Sequence, residues 1–394
     1  MNAKITQKMQ KISEVLKRLI YNKFFVLVMG FAALAAISRP IHYVSLPQRA
    51  IVCLLGLAKT AEGDYEMHVQ VVKPAATLSG SSSSTTETYV VFSQTNKSIG
   101  ECFDAIKVQT GLRSTLSYCG AVIVHRSAVD DDFPAVLSSL MDEWRLPERT
   151  TAYYTEDDVK EIVSTAVPLT SMGGTYIQKA AQTNNESLGF HNNMIKNMLI
   201  GYGGKCETYT MGMLELQPIE KSDIGADIGS RQSNLSLFKF DKAVAVKKGE
   251  PPVVMSDRDG MAMCLIHMRG KSGRLTVESG GTTAHFELAG IKTKIKLKGD
   301  KLMVEVKALA KLLELVEPQT IYDIKDFGQR FVTDLNDQIV KIIGDAFKKS
   351  QDLGYDFFNV ADMQYQQQGM KWKREPDYLQ KITIEVKADI TAAN

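Results

Sequence analysis

Residues 327–349 read FGQRFVTDLNDQIVKIIGDAFKK and residues 381–390 read KITIEVKADI. In the first stretch Phe331, Leu335, Ile339, Ile342, Ile343 and Phe347 recur at steps of four and three, so an apolar stripe runs along one side of a helix. The helix is expected to stop near Gln351. Gly354 follows, and Lys348 and Lys349 sit where the negative end of the helix dipole favours cations. In the second stretch Ile382, Ile384, Val386, Ala388 and Ile390 alternate with Lys381, Thr383, Glu385, Lys387 and Asp389, the period of a strand with one wet face. A long amphipathic helix docked on an antiparallel sheet is the expected C-terminal architecture, and it sets the α+β class for the chain.

Working upstream, Ile291 to Lys298 meets Leu302, Val304 and Val306 across Gly299-Asp300, a two-residue hairpin signal. Lys292, Lys294, Lys296 and Lys298 share one face of that hairpin. Such a ladder fits anionic lipid, an acidic partner, or a solvated strand protecting its own edge. From Leu235 the chain becomes mostly strand; Leu235 to Val246 resembles a hairpin and Ser256 to Gly260 an acidic turn of the family named below, and the latter lacks the ligand alternation of a calcium loop. Helices are expected over 156–166 and about 191–199, with Gly201, Gly203 and Gly204 breaking the second. Phe133 to Trp144 is expected as a helix, and so is the segment from Ile99 to Gly111, opened by the capping box of Ser98 and Glu101. Arg49 to Leu57 reads as a buried strand, followed by a turn at Glu62-Gly63-Asp64, while Ser79 to Ser84 reads as a flexible loop. The resulting division is 1–38, a basic segment and membrane helix; 39–149, an α/β domain; 150–234, a smaller middle domain; and 235–394, a C-terminal α/β domain. Mixed or antiparallel sheets with packed helices are expected in all three folded parts.

Gln351, Asp356, Trp372 and Pro376 stand in that order after the long helix and before the closing strand. With Arg149, which ends the acidic, Arg-containing run from Met141, and with the segment order over about residues 46–390, they resemble the Ger(x)C family, the C subunits of spore germinant receptors. Tyr378 stands where the family has a second Trp. The resemblance implies a non-catalytic, extracytoplasmic subunit on the outer face of the spore inner membrane. It also implies two integral membrane subunits as partners and a scaffold or coupling role in nutrient-triggered germination. As residues, Gln351 and Asp356 fit a cap and a turn, and Arg149 fits either a salt bridge or a partner contact.

Lys4, Lys8, Lys11, Lys17, Arg18 and Lys23 precede an apolar run, Phe24 to Ile37, with Glu14 as the one opposing charge. Phe24, Phe25, Val26, Leu27, Val28, Phe31, Leu34 and Ile37 are its large apolar members. As a helix these fourteen residues rise roughly 21 Å, and Leu19 to Tyr21 with a snorkelling Lys23 extend the span to about 28 Å. An uncleaved anchor with everything after Ser38 outside the cell is one reading, and a signal peptide cleaved near Ala33-Leu34-Ala35 is the other. Most members of the resembled family carry a lipid-accepting Cys at the end of this run, where this chain has Ala35-Ala36-Ile37-Ser38.

Of the formal net charge of +2, the first 38 residues contribute +5, so the remainder carries about −3 and offers no basic footprint for nucleic acid. The five cysteines are scattered, without disulfide or zinc spacing, and are expected as buried thiols. The six histidines never fall at metal-ligand spacing, and no Ser occupies a Gly-x-Ser-x-Gly elbow. The lone Gly-Lys-Ser, Gly270 to Ser272, has Leu265 where a phosphate loop needs Gly. Neither catalysis nor a metal or cofactor is expected. Two other readings stay open: an envelope adhesion or assembly protein, which shares the anchor and sheets, and a cell-wall hydrolase, which needs a carboxylate or metal constellation in a cleft.

Overall fold

A computed structural model describes residues 49–73, 89–165, 173–184, 193–218, 236–267, 271–279, 282–316 and 324–392, with scattered helical positions between 11 and 31. The chain divides into a unit of residues 1–49 and a second of residues 50–394. In chain order, the second unit begins with strands β1 (Arg49–Lys59), β2 (Tyr65–Val72) and β3 (Tyr89–Asn96), helix α1 (Ile99–Thr110), β4 (Arg113–Thr115), β5 (Ala121–His125) and α2 (Phe133–Trp144). It continues with β6 (Thr151–Thr155), α3 (Val159–Ser164), α4 (Gly173–Asn184), α5 (Ile195–Gly203), β7 (Thr208–Pro218), β8 (Ser236–Lys247) and β9 (Val253–Val254). Then come α6 (Asp257–His267), β10 (Lys271–Ser279), β11 (Thr282–Lys298), β12 (Lys301–Val316), α7 (Ile324–Leu353), α8 (Val360–Gln368) and β13 (Thr383–Ala392).

Nine strands form one mixed sheet in the order β3-β2-β1-β5-β6-β7-β8-β9, with β4 on β1, so residues from all three expected segments share it. Its centre is parallel, from β1 through β5 and β6 to β7, and its two wings are antiparallel hairpins. Parallel strands are covered on both faces, which explains the unbroken apolar runs Val52 to Leu57 and Ala121 to Val124. One face carries α1, α2 and α5 through Phe103, Phe133, Leu137 and Met198. The other carries α3 and α4 through Val159, Ile162 and Ile177.

The second sheet, β10-β11-β12-β13, lies against α7. Phe331, Leu335, Ile339, Ile342, Ile343 and Phe347 are all buried, as the step-of-four-and-three pattern predicts. At about 2 kcal/mol per large apolar side chain removed from water, that stripe contributes on the order of 10 kcal/mol before chain entropy is charged against it. Gly354 follows the helix at φ +69°, a left-handed conformation that costs glycine little.

Several expectations need correction. The closing strand, β13, pairs with β12 in parallel rather than antiparallel, because α7 lies between them and a crossover helix returns the chain in its original direction. Leu235 to Val246 contains no turn over its described residues: β8 is one strand that pairs antiparallel with β7 along its length, with a single shift of register between Met213 and Glu215. Ser256 to Gly260 is the start of α6, with Ser256 Oγ and N both donating to the Asp259 carboxylate. The helix expected over 156–166 is the shorter α3, held at its start by Asp158, whose carboxylate accepts from the amides of Lys160 and Glu161. The second middle helix starts at Ile195, later than expected, and ends at Gly203, the second of the three glycines expected to break it. The Ser79 to Ser84 loop lies outside the described residues.

Candidate functional site

The family-like positions near the C-terminus converge. At the end of α7, Ser350 Oγ donates to the Tyr355 carbonyl, and Gln351 Nε2 donates to the carbonyls of Leu379 (2.8 Å) and Ile382 (2.9 Å). Gln380 Nε2 returns the contact to the Gln351 carbonyl at 3.1 Å. Gln351 thereby ties the helix end to the segment that leads into β13. A side-chain amide is suited to this because two donors on one nitrogen can meet two carbonyls that no strand partner reaches.

Asp356 is buried, 1% exposed, and accepts from the amides of Val360 (2.9 Å) and Ala361 (2.8 Å) and from the Tyr378 hydroxyl (3.1 Å). It therefore satisfies the first orphan donors of α8. Burial raises its carboxyl above the usual carboxylate range, and the two amides and Tyr378 pull it part of the way back. Tyr378 supplies a hydroxyl to this carboxylate. Trp372 Nε1 donates to Gln364 Oε1 at 3.1 Å and its ring meets Tyr365 edge-on at 6.2 Å. Gln351, Asp356 and Trp372 thus build one corner of the C-terminal part.

That corner also joins the nine-stranded sheet. Asp362 accepts from the Lys205 amide at 2.7 Å, Arg374 pairs with Glu207, and the Tyr355 hydroxyl donates to the Pro251 carbonyl at 2.6 Å. Lys349 reaches Asp259 on α6 at 2.5 Å, and His267 Nε2 lies 3.1 Å from the Phe357 carbonyl. For Asp259 burial raises the carboxyl, and the Lys349 ammonium and Ser256 donors more than offset it, leaving it below its ordinary value. Arg149 is not part of this corner. It is exposed on the loop before β6 and forms no ion pair among the described residues.

Of the anchor positions, Leu27, Val28 and Phe31 are helical and 61%, 46% and 70% exposed. Phe24, Phe25, Val26, Leu34 and Ile37 lie outside the described residues. Among the described residues no helix is long and apolar enough to cross a membrane.

Chemistry-bearing side chains elsewhere serve packing. All five cysteines are buried thiols, and burial pushes Cys53 up to about 12. Buried Gln70, which sequence reasoning passed over, links four elements. It donates to the Val163 carbonyl (3.1 Å) and accepts at Oε1 from the Cys53 thiol (3.1 Å) and the Gly174 amide (3.4 Å). Only the approach of α3 and α4 to β1 and β2 creates that role, although the Gly173-Gly174 pair was a visible hint of close backbone contact. Buried His68 lies between Ser93 Oγ (2.7 Å) and Glu66 Oε1 (3.1 Å), one row of the β2-β3 ladder that satisfies both ring nitrogens. No group of three or more His, Cys, Asp or Glu stands at metal-holding distances among the described residues.

Comparison with known proteins gave two family matches. One is described as "Spore germination protein N-terminal domain" and spans residues 42–216; the other is described as "Spore germination B3/ GerAC like, C-terminal" and spans residues 254–394. A solved structure titled "Crystal Structure of the GerBC protein" is similar over 86% of this chain and 97% of that one, at 13% sequence identity and a TM-score of 0.46. Comparison with curated protein sequences gave no match.

Proposed function

The chain belongs to the Ger(x)C family of spore germination proteins, the C subunits of spore germinant receptors, and on that basis we propose that it is a membrane-anchored, non-catalytic scaffold or coupling component of such a receptor. The carrying observation is the pair of family matches, which between them take in the larger sheet from β1 to β7 and the whole of the four-stranded sheet with α7 and α8. Its proposed place is the outer face of the spore inner membrane, beside two integral membrane subunits.

The anchor is residues 24–37. Leu27, Val28 and Phe31, spaced along one helical side and exposed, support this, since a row of large apolar side chains is stable in lipid and costly in water. The missing lipid-accepting Cys supports an uncleaved helix in its place. A coupling role is supported by the corner itself: its motif side chains are spent on internal hydrogen bonds that shape it, and its neighbours Tyr355, Asp362 and Arg374 tie it to the larger sheet.

Two experiments test the reading. Deletion of the gene should abolish nutrient-triggered germination, and an unchanged response in a strain without a redundant receptor counts against it. C-terminally tagged protein taken from gently solubilised spore membranes should bring two multi-spanning proteins with it. Recovery of the intact protein without them favours the independent envelope role.

A further inference from the structure

The second half of β11 and its partners form a grid whose register is fixed. Lys292, Lys294, Lys296 and Lys298 stand opposite Lys307, Glu305, Met303 and Lys301 on β12, and these stand beside Asp389, Lys387, Glu385 and Thr383 on β13. All twelve point away from the α7 side, because the intervening Leu297, Leu302, Val304 and Val306 are buried in the core. Three acids and seven lysines leave a net charge of +4. With strands about 4.8 Å apart and about 3.4 Å of rise per residue, the grid covers roughly 10 by 20 Å.

The acids are already occupied. Glu385 pairs with Lys301 (2.5 Å) and Lys387 (3.2 Å), Glu305 with Lys307 (3.1 Å), and Asp389 with Lys307 (3.0 Å). The four β11 lysines are exposed and have no ion-pair partner among the described residues. Edge protection does not account for them. The free edge of β11 beyond Ile291 is met by α8, with Gln367 Nε2 donating to the Leu297 carbonyl at 2.7 Å, while Thr293 Oγ1 donates to the Leu265 carbonyl of α6. The lysines project out of the sheet plane. Nor is the patch general basicity, since the chain after residue 38 is net negative.

We propose that this lysine grid is a docking surface for an anionic lipid bilayer. A protein partner of this area needs an apolar or aromatic centre and favours Arg, whose planar fork grips carboxylates. This face has Met303 as its one apolar member and no Arg. Flat, point-like positive charge matches a flat sheet of phosphate headgroups, each lysine near such a surface contributing several-fold in binding. The inference builds on the anchored reading.

The test reconstitutes the full chain with vesicles of phosphatidylcholine alone or with phosphatidylglycerol added. Acetylation of each lysine by a soluble reagent is then read by peptide mass spectrometry. Lys292, Lys294, Lys296 and Lys298 should react several-fold more slowly on the anionic vesicles, and added salt should abolish the difference. Replacement of all four by Gln should lower partitioning onto anionic vesicles by on the order of a hundredfold at low salt. Being exposed, these positions tolerate Gln, which an unchanged thermal transition verifies. Equal reactivity on both vesicles overturns the proposal. So does protection that appears in either lipid only when membrane subunits are added, which assigns the face to a protein. If the chain fails to float with phosphatidylcholine, the anchor reading fails; flotation with anionic vesicles that the fourfold Gln variant loses still upholds the grid.

Discussion

Asp356 is the residue on which the C-terminal corner depends. Asp356→Ala leaves the Val360 and Ala361 amides and the Tyr378 hydroxyl without their acceptor in a buried place, and is expected to cost about 2–4 kcal/mol in urea unfolding. Asp356→Asn keeps one acceptor oxygen and should cost distinctly less. His68 makes a separate prediction. It is buried, and burial holds its imidazole below its ordinary value, with the Glu66 and Asp158 carboxylates pulling the other way. The unfolded chain takes up a proton below about pH 6.5, so stability present above that pH is lost as the solution is acidified toward the folded value, at up to about 1.4 kcal/mol per pH unit for each such group. Half-buried His125 is shifted the same way, by burial first. Melting temperature should therefore fall between pH 7 and pH 5.5, and His68→Gln should remove part of that fall. The positions of Gln351, Asp356 and Trp372 were legible in the sequence as motif members. Their partners were not, because Leu379, Ile382, Ala361 and Gln364 reach them only after α7 has docked.

Elements pack here with uneven tolerance. A Cβ added to Gly174 would stand 1.9 Å from the Cys53 carbonyl oxygen, and one on Gly120 would stand 2.4 Å from the Gly174 carbonyl oxygen, so α4 seats on β1 and the start of β5 backbone to backbone. Gly174→Ala should therefore force the helix outward and cost about 3 kcal/mol or more. Gly344, inside α7, has open space around its would-be Cβ, and Gly344→Ala should stabilise by roughly 0.5–1 kcal/mol through helix propensity alone. Opposite shifts in thermal midpoint for the two variants check both statements. The periodicity that predicts α7, α1 and α2 is strong because each buries one side. The parallel centre of the large sheet gave a weaker signal: β6 and β7 are short or buried on both faces, where alternation vanishes.

For the molecule as a whole, the expected outcome concerns attachment. A chain shortened to begin at residue 39 should keep its melting temperature, because the apolar run belongs to the separate unit of residues 1–49. It should be released by sodium carbonate from membranes that retain the full chain. Release of both forms alike would remove the anchor from the proposed function. The corner of Lys205, Glu207, Asp362 and Arg374 should contribute little through its exposed ion pair, about 1 kcal/mol at most. Its effect lies in fixing how the two sheets meet.

The sequence by itself determined which segments bury an apolar side, where several elements end, and, through the order of motif residues, the family to which the chain belongs. These are properties of local spacing and of segment order, and spacing survives in a linear string. The tertiary structure alone decided that β13 returns in parallel, that β8 runs unbroken, that Ser256 to Gly260 opens a helix, and that seven lysines and three acids share one grid. Each of these depends on which distant strand or helix lies alongside, and strand register and backbone contact are fixed by the packing of whole elements.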